Sequence, residues 1–207
     1  MSKYVERFNT RERVLHWFVT VTFFTQLLSG LGLYSRLFAG YQDFFGGGQG
    51  AILVHKVAGV LFLASSLLLF LNHRKEISTL DEDDRRWLSK MGGYLSREPF
   101  RENNGKFNAG QKLFGIFMGM ATALLGVTGI IIWLPMSFPR GIVQVSLLVH
   151  GLIFVLFIML VIVHIYLATI GNPGTLDGML WGRVTRLWAS KHHVKWFKEI
   201  TGQEKAG

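Results

Sequence analysis

Four stretches of the chain run almost without polar interruption, at about 14–34, 51–72, 113–134 and 142–170. Each exceeds the ~18 residues at which an apolar run reads as a membrane-spanning helix rather than a buried soluble one. No charge falls between Arg13 and Arg36, and Lys56, close to the start of the second stretch, is the only charge inside it. The third stops at Pro135, where a helix would lose a backbone hydrogen bond. The fourth ends before Gly171-Asn172-Pro173-Gly174, a run of helix breakers. The pattern predicts an all-α membrane protein: a four-transmembrane-helix bundle set in a lipid bilayer, with residues 1–207 forming a single membrane-embedded domain.

The fourth stretch carries two histidines, His150 and His164, which are 14 residues apart. At about 100° per residue, 14 steps come to nearly four whole turns, so both imidazoles leave the same helix face. They stand roughly 21 Å apart along an axis that crosses a hydrocarbon layer of ~30 Å. A neutral imidazole in hydrocarbon needs a partner, because an unpaired polar group there costs several kcal/mol.

Basic residues set the expected orientation. Lys3, Arg7, Arg11 and Arg13 precede the first span, nine more lie between His73 and Lys112 (Arg97 and Arg101 among them), and six follow the last span, ending at Lys205. Against these nineteen stand Arg36, Lys56 and Arg140. Cytoplasmic loops concentrate Lys and Arg, so both termini and the middle loop are expected in the cytoplasm. His16 then opens the first span inside, His55 opens the second outside, His150 opens the fourth outside, and His164 lies near its inner end. The histidines fall into two levels, His16 with His164 and His55 with His150.

Two pairs at two depths suit bis-histidine b-type haems, one near each membrane face. Filling both axial positions disfavours oxygen chemistry and favours electron transfer. Haem propionates would need neutralising near the interfaces, with Arg11 and Arg13 as inner candidates and Arg36, Lys56 and Arg140 as outer ones. The plainer reading of each is a helix anchor. Gly30 follows His16 by 14 residues and Gly129 follows Gly115 by 14, which would bring backbones close around a flat macrocycle or, more simply, let helices pack.

Composition narrows the picture further. The net charge of +9 is spread between apolar runs rather than gathered on one face, so it reads as a topology signal and not as a nucleic-acid surface. With no cysteine, cysteine-ligated iron–sulfur clusters and covalently attached haem are excluded. The N-terminal segment holds acids and lacks a cleavage site before a long apolar run, so the first span is expected to act as its own signal anchor. The octet Gly105-Lys106-Phe107-Asn108-Ala109-Gly110-Gln111-Lys112 offers Asn108 and Gln111 either as a helix cap and first-turn pair or as amides for a quinone carbonyl, and spacing alone favours the cap. Asp81-Glu82-Asp83-Asp84 reads as solvated loop, and His73, His192 and His193, outside the spans, read as solvated or structural.

These residues together resemble the cytochrome b (gamma) subunit of formate dehydrogenase-N-type membrane complexes. The likeness runs nearly end to end: Glu12-Arg13, His16-Trp17, Ser29-Gly30, His55 with Gly59, the octet, Thr128 to Trp133, His150, His164-Ile165-Tyr166, Gly182-Arg183-Val184 and Trp188 to His193. The octet and the histidine spacings are its specific parts. The loop from His73 to Asn104 carries little of the family pattern, and the loop 171–182 after the final span also differs, which bears on quinone access more than on haem ligation.

The resemblance implies a bacterial inner-membrane subunit with two haem b groups, the outer ligated by His55 and His150 and the inner by His16 and His164. It implies electron transfer from an iron–sulfur (beta) subunit, fed by a molybdenum- or tungsten-pterin catalytic (alpha) subunit, to a quinone (menaquinone or ubiquinone) near the cytoplasmic face. The quinone site would draw on Asn108, Gly110, Gln111 and His164, and the complex could assemble into a higher oligomer. Formate oxidation itself would belong to another subunit. Competing readings are the cytochrome b subunit of a hydrogenase or thiosulfate reductase-type complex, and a haem-free transporter or scaffold whose histidines relay protons.

Overall fold

The computed structural model describes residues 2–93 and 103–202, so Arg97, Arg101 and Lys205 of the topology count lie outside the described residues. Four long helices coincide with the four apolar stretches: α1 (Thr10–Tyr34), α2 (Gly48–Ile77), α4 (Ala109–Trp133) and α5 (Arg140–Tyr166). Between them and after them lie the short helices α3 (Glu82–Ser89), α6 (Asp177–Trp181), α7 (Arg186–His192) and α8 (Val194–Thr201). Only 11% to 22% of the most apolar window of each long helix is buried within the protein. The remaining apolar side chains face outward, a surface stable only in hydrocarbon, so the four helices fit a multi-pass membrane protein.

Local chemistry sets the helix ends. Asn9 and Glu12 exchange hydrogen bonds at the start of α1, each side chain accepting from the other's backbone N–H (3.0 and 2.7 Å). Asp81 and Asp84 do the same at α3, and Asn108 and Gln111 at α4. Such reciprocal boxes satisfy two orphan donors each. The expected cap at Asn108 is therefore present. The reading of Asp81–Asp84 as solvated loop is corrected: Asp81 caps a helix, and Asp84 is buried and ion-paired with buried Lys112. At the far end of α5, a π turn over Leu167–Gly171 runs into the predicted breakers and takes in the first of them.

The contacts divide the chain into two compact units. The central unit, 14–69 and 118–159, joins segments of all four long helices. Its middle is an aromatic layer in which Phe23 stacks on Phe157 at 5.3 Å, with Phe62 5.8 Å from Phe157 and 6.2 Å from Phe23. Hydroxyls in this unit bond back to carbonyls of their own helix, as Thr20 does to His16 O and Thr22 to Phe18 O, which satisfies them in an apolar setting.

The terminal unit comprises 1–13, 70–117 and 160–207. The one departure from all-α character among the described residues lies here: β1 (Tyr4–Glu6) pairs antiparallel with β2 (Arg183–Thr185), with Val5 opposite Val184. Val184, Trp188, Ala189 and Trp196 form its core. Arg7 is buried there between the rings of Phe8 and Trp188 (5.2 and 4.6 Å) and donates to Lys106 O and His193 Nε2. His193 is 1% exposed and His73 lies inside α2, also buried. Both are structural rather than solvated, and α2 runs past the expected end of the second span to include His73.

Candidate cofactor site

In the central unit α2 and α5 bring His55 and His150 together, their ring centres 6.5 Å apart. Each ring is fixed from a neighbouring helix by a small polar residue followed by glycine. Ser29 Oγ of α1 lies 3.0 Å from His55 Nδ1, and Thr128 Oγ1 of α4 lies 2.8 Å from His150 Nδ1. The adjacent glycines give the rings room: a Cβ on Gly30 would meet His55 Cε1 at 3.1 Å, and one on Gly129 would meet His150 Cε1 at 3.6 Å. Gln26 adds a third hold on α2 by donating to the carbonyl of His55. Gly59 permits that approach, because a Cβ there would stand 2.9 Å from the Gln26 amide nitrogen.

The two rings line a small pocket of about 50 Å³, walled by Phe23, Gln26, Leu27, Phe62, Leu125, Phe154 and Phe157. Imidazole–metal bonds of about 2 Å place the centres of two opposed rings roughly 6 Å apart, close to the observed separation. Among the described residues no group of three or more His, Cys, Asp or Glu side chains could hold a bare metal ion. Two imidazoles alone are too few for a four-coordinate protein site. They fit a metal that brings its own in-plane donors, as haem iron does.

The other predicted residues fall as follows. His164 is half-buried on α5 in the terminal unit, its ring stacked on Phe114 at 4.7 Å and 2°. His16 is half-buried in the central unit, edge-on to Trp17 at 5.5 Å. The pairing of His16 with His164 rests on the sequence alone. Asn108, Gly110 and Gln111 form the first turn of α4 and its cap, all in the terminal unit. A Cβ on Gly110 would strike the Trp87 ring at 2.7 Å, so that glycine seats the indole of α3.

Of the propionate candidates, Arg13 donates to Met179 O and Leu180 O near the end of α6, while Lys56 lies 5.1 Å above the Trp133 ring. Arg11, Arg36 and Arg140 are exposed. Sequence reasoning gave no role to Ser29, Thr128 and Gln26. A hydroxyl next to a glycine, or an amide one turn before it, carries no periodic signature, and only the 14-residue glycine spacing hinted at the place.

A family model described as prokaryotic cytochrome b561 matches residues 7–182. The cytochrome b556(Fdn) subunit of the nitrate-inducible formate dehydrogenase of Escherichia coli is 33% identical over 208 residues, covering 98% of this chain and 94% of that one. The cytochrome b556(fdo) subunit of formate dehydrogenase from the same organism is 30% identical over 207 residues, covering 98% and 97%. The cytochrome b556 subunit of a formate dehydrogenase of Haemophilus influenzae is 30% identical over 200 residues, covering 93% and 82%. With that model matched over residues 7–182 and relatives alike over nearly the full length, the chain belongs to the prokaryotic cytochrome b561 family.

Proposed function

We propose that this chain is the cytochrome b subunit of a respiratory formate dehydrogenase of the bacterial inner membrane: one membrane domain over residues 1–207 with both termini cytoplasmic. It holds two b haems, the outer between His55 and His150 and the inner between His16 and His164. When bound, the haems supply a one-electron carrier near each membrane face. The observation that carries this reading is the His55–His150 pair, 6.5 Å between ring centres and each ring tied at Nδ1 to a hydroxyl. Identity of 30–33% over nearly the whole chain to three formate dehydrogenase cytochromes favours that complex over a hydrogenase or thiosulfate reductase.

In this reading an iron–sulfur subunit outside delivers electrons drawn from formate by a molybdenum- or tungsten-pterin subunit, and a quinone near the cytoplasmic face receives them. The chain's own residues bind and orient. Phe23, Phe62 and Phe157 exclude water from the middle of the helices. Asn108 and Gln111 spend their amide oxygens on the α4 cap, so their NH₂ groups are what they offer a quinone carbonyl. Gly110 and His164 complete the quinone site.

A dithionite-reduced spectrum of the purified complex tests the reading. A b-type α band with two haems per chain is expected, and no band would overturn it in favour of a haem-free transporter or scaffold. His164→Ala is expected to remove one haem and quinone reduction together while the outer haem stays. Two haems surviving that change would overturn the ligand assignment. The co-purifying subunits should include an iron–sulfur protein and a formate-oxidising pterin protein.

A further inference from the structure

We infer that Ser29 and Thr128 are positioning residues that lock both outer histidines in the tautomer protonated at Nδ1, leaving Nε2 as the metal-binding atom. The inference rests on the reading of His55 and His150 as ligands of one haem. A hydroxyl has one hydrogen to give and lone pairs to accept with. Ser29 Oγ lies 2.7 Å from Thr25 O, the carbonyl one turn back, and Thr128 Oγ1 lies 2.8 Å from Leu124 O. A carbonyl can only accept, so each hydroxyl directs its proton there. What remains toward the imidazole is a lone pair, at 3.0 Å from His55 Nδ1 and 2.8 Å from His150 Nδ1. The imidazole must therefore donate, and its proton sits on Nδ1.

The surroundings argue the same way. Ser29 is fully buried and Thr128 is 5% exposed, so water does not compete for these bonds. The opposite tautomer would turn an Nε2–H toward walls of phenylalanine and leucine, and an unpaired donor in such a place costs about 1–3 kcal/mol. Two helices that are not neighbours in sequence arrive at one device, hydroxyl then glycine: the hydroxyl takes the Nδ1–H and the glycine clears the Cε1 edge. Ligating histidines ordinarily donate their second N–H to a carboxylate, carbonyl or water, which fixes the ring and raises its basicity. Here the acceptor is a neutral hydroxyl already engaged with its own helix. It orients the ring and adds electron density at Nε2 without placing a charge in the membrane. Both hydroxyls thereby stabilise the ferric form of the outer haem.

Thr128→Val in the purified complex removes the hydroxyl and keeps the shape, and Thr128→Ser restores the hydroxyl. Redox titration and low-temperature electron paramagnetic resonance would follow each haem separately. The expected result for Thr128→Val is an outer-haem potential moved upward, a several-fold shift of the ferric–ferrous ratio toward ferrous at fixed poise, with an altered ferric signal. The inner haem should be unchanged, and Thr128→Ser should titrate as wild type. Ser29→Ala should move the same haem in the same direction. Outright loss of the outer haem in Thr128→Val with retention in Thr128→Ser would also support the role. An unchanged potential and signal in Thr128→Val, or loss of the haem in both variants, would overturn it. Wild-type protein lacking a b-type band would instead sink the haem reading beneath it.

Discussion

Gly30 and Gly129 stand opposite the imidazoles of His55 and His150, yet they are not equivalent. An alanine methyl at 30 would press on His55 Cε1 at 3.1 Å, closer than side chains ordinarily pack, whereas one at 129 would meet His150 at a comfortable 3.6 Å. Gly30→Ala is therefore expected to tilt its ring off the Ser29 hydroxyl and lower haem content several-fold more than Gly129→Ala, read as haem-to-protein ratio in purified complex. Equal losses would show that both glycines clear a macrocycle rather than an imidazole. The third member of the glycine pattern behaves differently: at Gly115 the added methyl would meet Ile77 at 3.2 Å, which is helix packing. The 14-residue spacing was legible in the sequence. Which glycines serve a histidine and which serve a neighbouring helix was not, because spacing records a shared face and not what stands across from it.

Among the elements, the octet before α4 is a structural crossroads. Gly105 O accepts from His193, Lys106 pairs with Glu12 at 2.7 Å, Phe107 packs on Phe8 and His73, and Lys112 pairs with Asp84. Its distinctive pattern thus has a folding explanation that coexists with the proposed quinone role, and the two can be separated. Asn108→Asp and Gln111→Glu keep the acceptor oxygens of the cap and remove the amide donors. They should leave thermal stability within about 0.5 kcal/mol of wild type, as for a good cap exchanged for another, while quinone reduction falls. Asn108→Ala should lose the cap as well, at a cost of about 1 kcal/mol. An Asn108→Asp variant with full quinone turnover would leave the octet with structure alone. The neighbouring helix α3 is tied to α4 by a buried pair, with Asp84 3% and Lys112 8% exposed. Asp84→Asn leaves the Lys112 ammonium, which still donates to Thr79 O, without its counter-charge, a change that costs roughly 3–5 kcal/mol in a buried pair, and amide exchange over 82–89 should rise accordingly. Hydropathy could not foresee α3, because its eight residues are mostly charged and only Asp84 and Trp87 point inward.

At the scale of the whole molecule, hydropathy located the four spans because it measures contact with lipid, but it set their starts late. The helices begin at Thr10, Gly48, Ala109 and Arg140, where caps and polar turns rather than apolar residues decide. The terminal unit was illegible for another reason: its central contact joins Arg7 to His193 across 186 positions, beyond any local pattern. That contact has a pH consequence. Burial first, and then the neighbouring Arg7 charge, push the His193 imidazole well below its ordinary 6.5, while burial lowers the Arg7 guanidinium to about 9, still cationic at neutral pH. His193 donates from Nδ1 to Gly105 O at 2.6 Å and so must accept from Arg7 at Nε2, which only a neutral ring can do. The unfolded chain takes up a proton near pH 6.5 that the folded unit refuses. Stability therefore rises with pH through that range, is complete above about 6.5, and declines as pH falls below it. Amide exchange over 183–197 should accelerate between pH 6.5 and 5 beyond its intrinsic pH dependence, with the helices of the central unit unaffected. In His193→Gln, whose amide can still donate to one partner and accept from the other, that acceleration should vanish. If it persists, protonation elsewhere opens the unit, and the buried Arg7–His193 contact is not its pH-sensitive element.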